Sequence, residues 1–73
     1  MDFVIVRDQK PWILVEVKAG DRPLSPALAA FQQQTGAAHA VQIGLEDAPA
    51  GVDLRRHEQP IKMAARDLLG QLP

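Results

Sequence analysis

Three charged residues lie at the ends of two apolar stretches and could together carry out chemistry. Asp2 precedes the apolar run 3–6, whereas Glu16 and Lys18 close the apolar run that begins at Trp12. Burying an unpaired charge is costly, so these charges either remain in water at a sheet edge or gather into a site. Two acids and a lysine in one place would suit a divalent cation and a phosphate.

The elements that must position these residues are two β-strands joined as a hairpin. Short β-rich runs over 2–7 and 11–19 flank the polar segment 8–10, which we predict to be a three-residue hairpin loop. In that register Asp2 lies directly opposite Glu16. Because side chains alternate along a strand, the face that carries both acids would also hold Val4, Val6, Trp12, Leu14 and Lys18. The other face is wholly apolar, so we predict a central hairpin in a sheet covered on both sides.

The remainder of the chain predicts helix, strand and helix. Ser25-Pro26 is typical of a helix start and Gly36 of a helix end. We predict a strand over 38–45, a short edge strand over 52–56 and an amphipathic helix over 61–72. The order is ββαβ(β)α, an α/β fold with helices packed on the sheet. The buried stripe of the first helix would consist of Leu24, Ala27, Leu28 and Phe31.

The chemistry expected of the two acids is metal binding. Carboxylates a few ångströms apart repel one another unless they are protonated or bridged by a cation. Mg²⁺ suits Asp2 and Glu16, because it binds one or two carboxylates and completes its shell with water and substrate phosphate. A bound Mg²⁺ would polarise the phosphate and acidify a bound water. Lys18, on the same face, would position that water or stabilise charge on the phosphate, which predicts phosphodiester hydrolysis.

A motif in this region resembles a known family. "MDFV" followed by "VEVK" on the second strand of a hairpin, then a helix and a strand, resembles the PD-(D/E)xK nuclease superfamily. It is most similar to the C-terminal nuclease-like domain of uncharacterised prokaryotic AAA-type ATPases, over residues 1–45. The resemblance implies a restriction-endonuclease-like fold and Mg²⁺, with Mn²⁺ as a substitute. It also implies Asp2, Glu16 and the Val17 carbonyl as metal ligands and Lys18 as the catalytic lysine.

The chain departs from that family at its start. The superfamily core has a helix and a strand upstream of the motif aspartate, whereas this chain begins one residue before Asp2. The resemblance therefore implies a truncated core, a single partial nuclease-like domain over 1–73, and a degenerate module. The uncovered hairpin face predicts a homodimer, since large bare apolar faces are rare in monomers. The alternative function is a non-catalytic interaction or dimerisation module, and whether the chain is an enzyme stays open.

Composition limits the other classes of function. The chain has no cysteine, which excludes disulfides and thiolate zinc sites. Its net charge of −1 gives no general support for nucleic-acid binding, although a local phosphate site is compatible with it. The N-terminus has no basic segment typical of a signal peptide, and no apolar run approaches the ~18 residues of a membrane span. We therefore predict a cytoplasmic protein without a membrane partner.

Each candidate residue also has a purely structural interpretation. Glu16 and Lys18 would form an ordinary ion pair at a strand end, and Asp2 would be a solvated terminal residue. Trp12 is interpreted as a packing residue, with base stacking as the alternative. Three basic residues on the predicted edge strand would either contact phosphate or discourage edge pairing: Arg55, Arg56 and His57.

Overall fold

The computed structural model describes residues 2–20, 22–45 and 49–72 and shows an α/β fold. A mixed four-stranded sheet carries one helix on each face. The elements are β1 (Phe3–Arg7), β2 (Lys10–Lys18), α1 (Pro26–Thr35), β3 (His39–Gly44), a 3₁₀ helix (Leu54–Arg56), β4 (Ile61–Ala64) and α2 (Ala65–Gln71). Within these described residues, neither helix has the length and apolarity needed to cross a bilayer.

The sheet is ordered β1-β2-β3-β4. β1 pairs antiparallel with β2, whereas β2, β3 and β4 run parallel to one another. The prediction of a central hairpin is therefore wrong for its first strand. Within the described part of the chain β1 is an edge strand, and of the two hairpin strands β2 alone has a neighbour on both sides. The parallel strand β3, which the sequence predicted, takes the place beside β2.

The hairpin turn is shorter than predicted. Asp8 and Gln9 form a two-residue turn, and both have positive φ, 53° and 66°. Such turns match the right-handed twist of the two strands that they join. Arg7 consequently pairs with Lys10, and the prediction of a three-residue loop is wrong.

A β-bulge at Trp12 restores the predicted register further along the hairpin. Ile5 pairs with Ile13, but Val6 pairs with Pro11, so Trp12 is an extra residue on β2. Beyond the bulge, Phe3 pairs with Val15 in the register predicted from the sequence. The bulge also reorients Trp12, which packs against the apolar cluster on the α2 face. The prediction that Trp12 shares a face with Leu14 and Glu16 is therefore wrong.

Two apolar clusters on opposite faces hold the helices to the sheet. Strand residues alternate between these clusters, as the period of two requires. On the α2 face the buried residues are Ile13, Val15, Val41, Ile43, Leu54, Met63 and Leu68. On the α1 face they are Leu14, Leu28, Ala37 and Ala40.

The bounds of α1 follow the capping signals in the sequence. The Ser25 hydroxyl accepts a hydrogen bond from the N–H of Ala27, and Gly36 ends the helix in the left-handed conformation with φ 73°. The predicted buried stripe is only partly confirmed. Leu28 is buried and Phe31 half-buried, but Leu24 and Ala27 are exposed. Gln42 of β3 holds the loop before α1 through hydrogen bonds in place of apolar packing.

The C-terminal predictions need two corrections. The segment 52–56 forms no strand; Asp53 instead caps the 3₁₀ helix by accepting a hydrogen bond from the N–H of Arg55. The predicted helix over 61–72 is divided into β4 and α2. Parallel pairing with β3 buries Met63 completely, and this tertiary contact outweighs the helical spacing of the apolar residues.

Candidate functional site

Glu16 and Lys18 lie at the C-terminal end of β2 and point to the α1 face of the sheet. The Lys18 Nζ is 3.8 Å from the Glu16 Oε1, and the two side chains are 36% and 13% exposed, respectively. The separation exceeds that of a short hydrogen bond, so the contact is an ion pair of modest strength. Lys18 is the more exposed partner and keeps a flexible four-carbon stem, which leaves its ammonium group able to reach other anions.

Asp2 is fastened to the same strand end by two hydrogen bonds. Its N–H donates to the carbonyl of Val15 over 3.2 Å, and its Oδ2 accepts from the N–H of Val17 over 2.7 Å. The carboxylate therefore binds the peptide nitrogen that lies between Glu16 and Lys18 in the chain. Although Asp2 is exposed and lies near the terminus, its position is set by the backbone of β2.

The structure thus brings Asp2, Glu16 and Lys18 to one strand end, which we call the acid end of the hairpin. Val17, between them, donates its N–H to Asp2 and packs its side chain on the opposite face. The role of the Val17 carbonyl as a metal ligand stays a prediction. The geometry is also compatible with the simpler interpretation, an ion pair beside a capped chain end.

Two further polar residues lie in register with Glu16 on the same face. Glu16 pairs with Gln42 of β3, and Gln42 pairs with Lys62 of β4. Neighbouring strands are about 4.8 Å apart, so Lys62 is two strand spacings, or roughly 10 Å, from Glu16 along the sheet. Sequence reasoning missed Lys62 because its segment was predicted to be helical. Gln42 could have been found as a lone polar residue in an apolar strand.

Gln42 is only 2% exposed, and its hydrogen bonds fix the loop before α1. Its Oε1 accepts from the N–H of Ser25 over 2.8 Å. Its Nε2 donates to the carbonyls of Arg22 and Pro23, over 3.3 and 3.0 Å. The loop between the acid end and α1 is therefore held by β3, the strand that pairs with β2 at Glu16.

The donor set of the acid end suits a hard cation. Asp2 and Glu16 supply carboxylate oxygens, the ligand type that Mg²⁺ prefers, and Mg²⁺ commonly uses only one or two of them. Over residues 2–20, 22–45 and 49–72, no group of three or more histidine, cysteine or acidic side chains converges.

The other basic candidates lie away from the acid end. Arg55 and Arg56 belong to the 3₁₀ helix, where each has its Nε 3.7 Å from a carboxylate oxygen of Asp53. His57 follows directly, and its carbonyl is 2.9 Å from the Nδ1 of His39. Comparison of the chain with protein-family models, with curated proteins and with solved structures finds no match.

Proposed function

We propose that the chain is a degenerate PD-(D/E)xK nuclease-like module whose acid end is a site for Mg²⁺-dependent phosphodiester hydrolysis of nucleic acid. The observation that supports the proposal best is the joint placement of Asp2, Glu16 and Lys18. The Glu16–Lys18 ion pair measures 3.8 Å, and the Asp2 carboxylate is bound to the amide between these two residues. An antiparallel hairpin followed by a parallel crossover through α1 is compatible with the strand order that the resemblance implies.

Each residue of the acid end has a distinct role in this proposal. Asp2 is held by two backbone hydrogen bonds, so its carboxylate is oriented before any ligand arrives. Glu16 supplies a second carboxylate in a less solvated position, where its charge is less screened. A bound Mg²⁺ supplies Lewis-acid polarisation of the phosphate. Lys18 is paired with Glu16 in the free protein, and its ammonium group would be available to a phosphate oxygen if a cation were bound by the carboxylates.

Metal binding is the step to test first. We expect titration with Mg²⁺, followed by NMR, to shift the amide signals of Asp2, Glu16, Val17 and Lys18 in a saturable manner. Glu16→Gln should abolish these shifts because it removes one carboxylate charge without changing side-chain shape. The exposed Glu58 offers a matched control, since Glu58→Gln removes the same charge outside the acid end. Equal shifts in both variants, or none at millimolar metal in the natural sequence, would remove the basis of the proposal.

A second candidate function, dimerisation, is favoured by the exposed edge of the sheet. Phe3, Val4 and Val6 of β1 are 59%, 43% and 60% exposed, an unusual density of apolar surface for an edge strand. A groove of about 420 Å³ runs between β1 and α2, and its rim includes the exposed Leu45 and Leu69. We propose a second copy of the chain as its occupant, paired through β1.

The exposed apolar side chains offer about half of the area that a stable dimer buries. Taking ~120 Å² for a full aliphatic side chain and ~200 Å² for phenylalanine, the five exposed residues offer about 400 Å² per copy. A stable interface buries about 800 Å² per partner, so the backbone edge of β1 and the polar side chains around it would have to supply the remainder.

Sedimentation at increasing protein concentration tests the dimer. Val6→Glu should yield a monomer, because it places a charge in the pairing edge. Leu24→Glu introduces the same charge at an exposed apolar residue before α1 and should leave the dimer intact. Glu16→Gln should also leave it intact, which separates this function from metal binding. A natural chain that is monomeric at every concentration would refute the dimer.

A further inference from the structure

We propose that a cleft at the turn end of the hairpin binds a nucleotide, with Arg7 and Arg55 holding its phosphate and Trp12 supporting its base. The cleft has a volume of about 290 Å³ and is lined by Arg7, Trp12, Leu54, Arg55, Gly70 and Gln71. We call it the turn-end cleft. It lies at the opposite end of β2 from the acid end, and the inference does not rest on the function proposed above.

Trp12 reaches this cleft because of the β-bulge. As the extra residue of β2, it is turned toward the α2 face and packs beside the apolar cluster there. The indole is only half-buried, and it borders both the turn-end cleft and a second depression beside the hairpin turn. His39 meets the indole edge-on, with ring centroids 6.5 Å apart and an interplanar angle of 74°. The ring is therefore fixed in orientation while part of its surface remains accessible.

Two guanidinium groups from separate parts of the chain converge on the cleft. The Cζ of Arg7 lies 4.9 Å from the centroid of the Trp12 ring, a cation–π contact that positions the group over the indole. Arg55 extends from the 3₁₀ helix with 83% of its side chain exposed. The Oδ1 of Asp53 lies 3.7 Å from the Nε of Arg55 and restrains this side chain. Asp53 is not itself part of the cleft lining. Among the residues that line the cleft, the charged ones are these two arginines.

The floor of the cleft is preformed by a glutamine of α2. The Oε1 of Gln71 accepts from the N–H of Leu54 over 2.7 Å, and its Nε2 donates to the carbonyls of Val52 and Asp67 over 2.7 and 2.9 Å. These bonds lock the 3₁₀ helix onto α2. Arg55 is therefore carried on a fixed backbone, which lowers the ordering cost of ligand binding.

The local charge contrasts with that of the whole chain. The chain has a net charge of −1, yet four of its eight basic residues lie around this end: Arg7, Lys10, Arg55 and Arg56. The acids beside them are Asp8 in the turn and Asp53 before the 3₁₀ helix. Within the described residues, Arg7 forms no ion pair.

This combination favours a nucleotide over other anions. Guanidinium groups bind phosphate oxygens through paired, charge-assisted hydrogen bonds. The indole, over which Arg7 lies in the free protein, offers a stacking surface for any base once Arg7 turns to the phosphate, as in proteins that bind single-stranded nucleic acid. A phosphoserine side chain would use the arginines but has no aromatic ring to stack on the indole. The volume is slightly below that of typical ligand pockets, which suits one nucleotide rather than a larger cofactor.

Fluorescence of Trp12 is a direct probe of the cleft. The chain contains one tryptophan and no tyrosine, so its emission reports on this site alone. AMP, adenosine, inorganic phosphate and phosphoserine are titrated in the presence of EDTA, which keeps the result independent of metal binding at the acid end. Arg55→Gln removes one cation from an exposed side chain and should leave folding intact. Arg66→Gln, an equal charge change on the exposed surface of α2, is the matched control.

We expect a saturable change with AMP, about tenfold tighter than with inorganic phosphate because of base stacking. Arg55→Gln should weaken AMP binding about tenfold, the usual effect of losing a charged hydrogen-bond partner, and Arg66→Gln by less than about twofold. No saturable change, or the same affinity in Arg55→Gln as in Arg66→Gln, would overturn the site. Phosphoserine or inorganic phosphate binding as tightly as AMP would overturn the nucleotide assignment.

Discussion

Replacing Gln42 with alanine tests whether one buried amide holds the loop before α1 against the sheet. The substitution removes three hydrogen bonds, to the N–H of Ser25 and the carbonyls of Arg22 and Pro23. Each hydrogen bond contributes about 1 kcal/mol net, and a donor left unsatisfied costs about 1–3 kcal/mol. We therefore expect the free energy of unfolding to fall by about 2–4 kcal/mol. A chain of this size has a total stability of only about 4–11 kcal/mol.

Urea denaturation followed by Trp12 fluorescence measures this loss. With an m-value of about 1 kcal/mol per molar urea, the midpoint should fall by roughly 2 M or more. Gln42→Glu keeps the acceptor for Ser25 but places a buried carboxylate against the carbonyl oxygens of Arg22 and Pro23, so it should lose at least as much stability as Gln42→Ala. Gln33→Ala, on the exposed surface of α1, should stay within about 0.5 kcal/mol of the natural chain. If Gln42→Ala also stays within that range, the hydrogen bonds do not hold the loop.

Three further predictions concern the core, a helix and the acid end. Met63→Ala should destabilise the fold by about 2–5 kcal/mol by opening a cavity in the α2-face cluster, whereas the exposed Leu69→Ala should change the urea midpoint little. Gly70→Ala should stabilise α2 by about 0.5–1 kcal/mol, since a Cβ there meets no atom within 4 Å; Gly36→Ala should destabilise by about 1 kcal/mol because of its left-handed backbone. In thermal unfolding, the two glycine variants should therefore shift Tm in opposite directions. Lys18→Gln should lower any Mg²⁺-dependent oligonucleotide cleavage by at least about tenfold without weakening Mg²⁺ binding, since the ammonium group that competes for Glu16 is gone; unchanged cleavage would exclude a catalytic role for Lys18.

Signals that act within a few residues predicted the structure well. The bounds of α1 followed from Ser25-Pro26 and Gly36, because caps depend on local backbone geometry. The pairing of Phe3 with Val15 followed from the length of two adjacent strands. The same pairing let the sequence place Asp2 beside the strand end that carries Glu16.

Features that depend on distant contacts escaped prediction. Ile61 to Ala64 became a strand because β3 offered an unpaired edge, and no local pattern announces such a neighbour. The position of Lys62 on the sheet was therefore not predicted either. The two-residue turn is one residue shorter than the predicted loop, and the bulge adds one residue to β2. The pairing beyond the bulge is therefore the same as with a three-residue loop, and the sequence could not distinguish the two arrangements. Because the bulge was not predicted, the sequence also did not predict that Trp12 and Arg55 line the same cleft.

The bulge makes Trp12 a residue that strand pairing does not require. On the turn side of the bulge, paired residue numbers add up to 17, and on the acid side they add up to 18. A chain from which Trp12 is deleted would keep the two-residue turn, pair regularly throughout, and still bring Asp2 to the amide of Val17. The hairpin is thus divided into two independently adjustable halves. Changes near the turn can alter what the turn-end cleft binds without shifting the carboxylates at the other end.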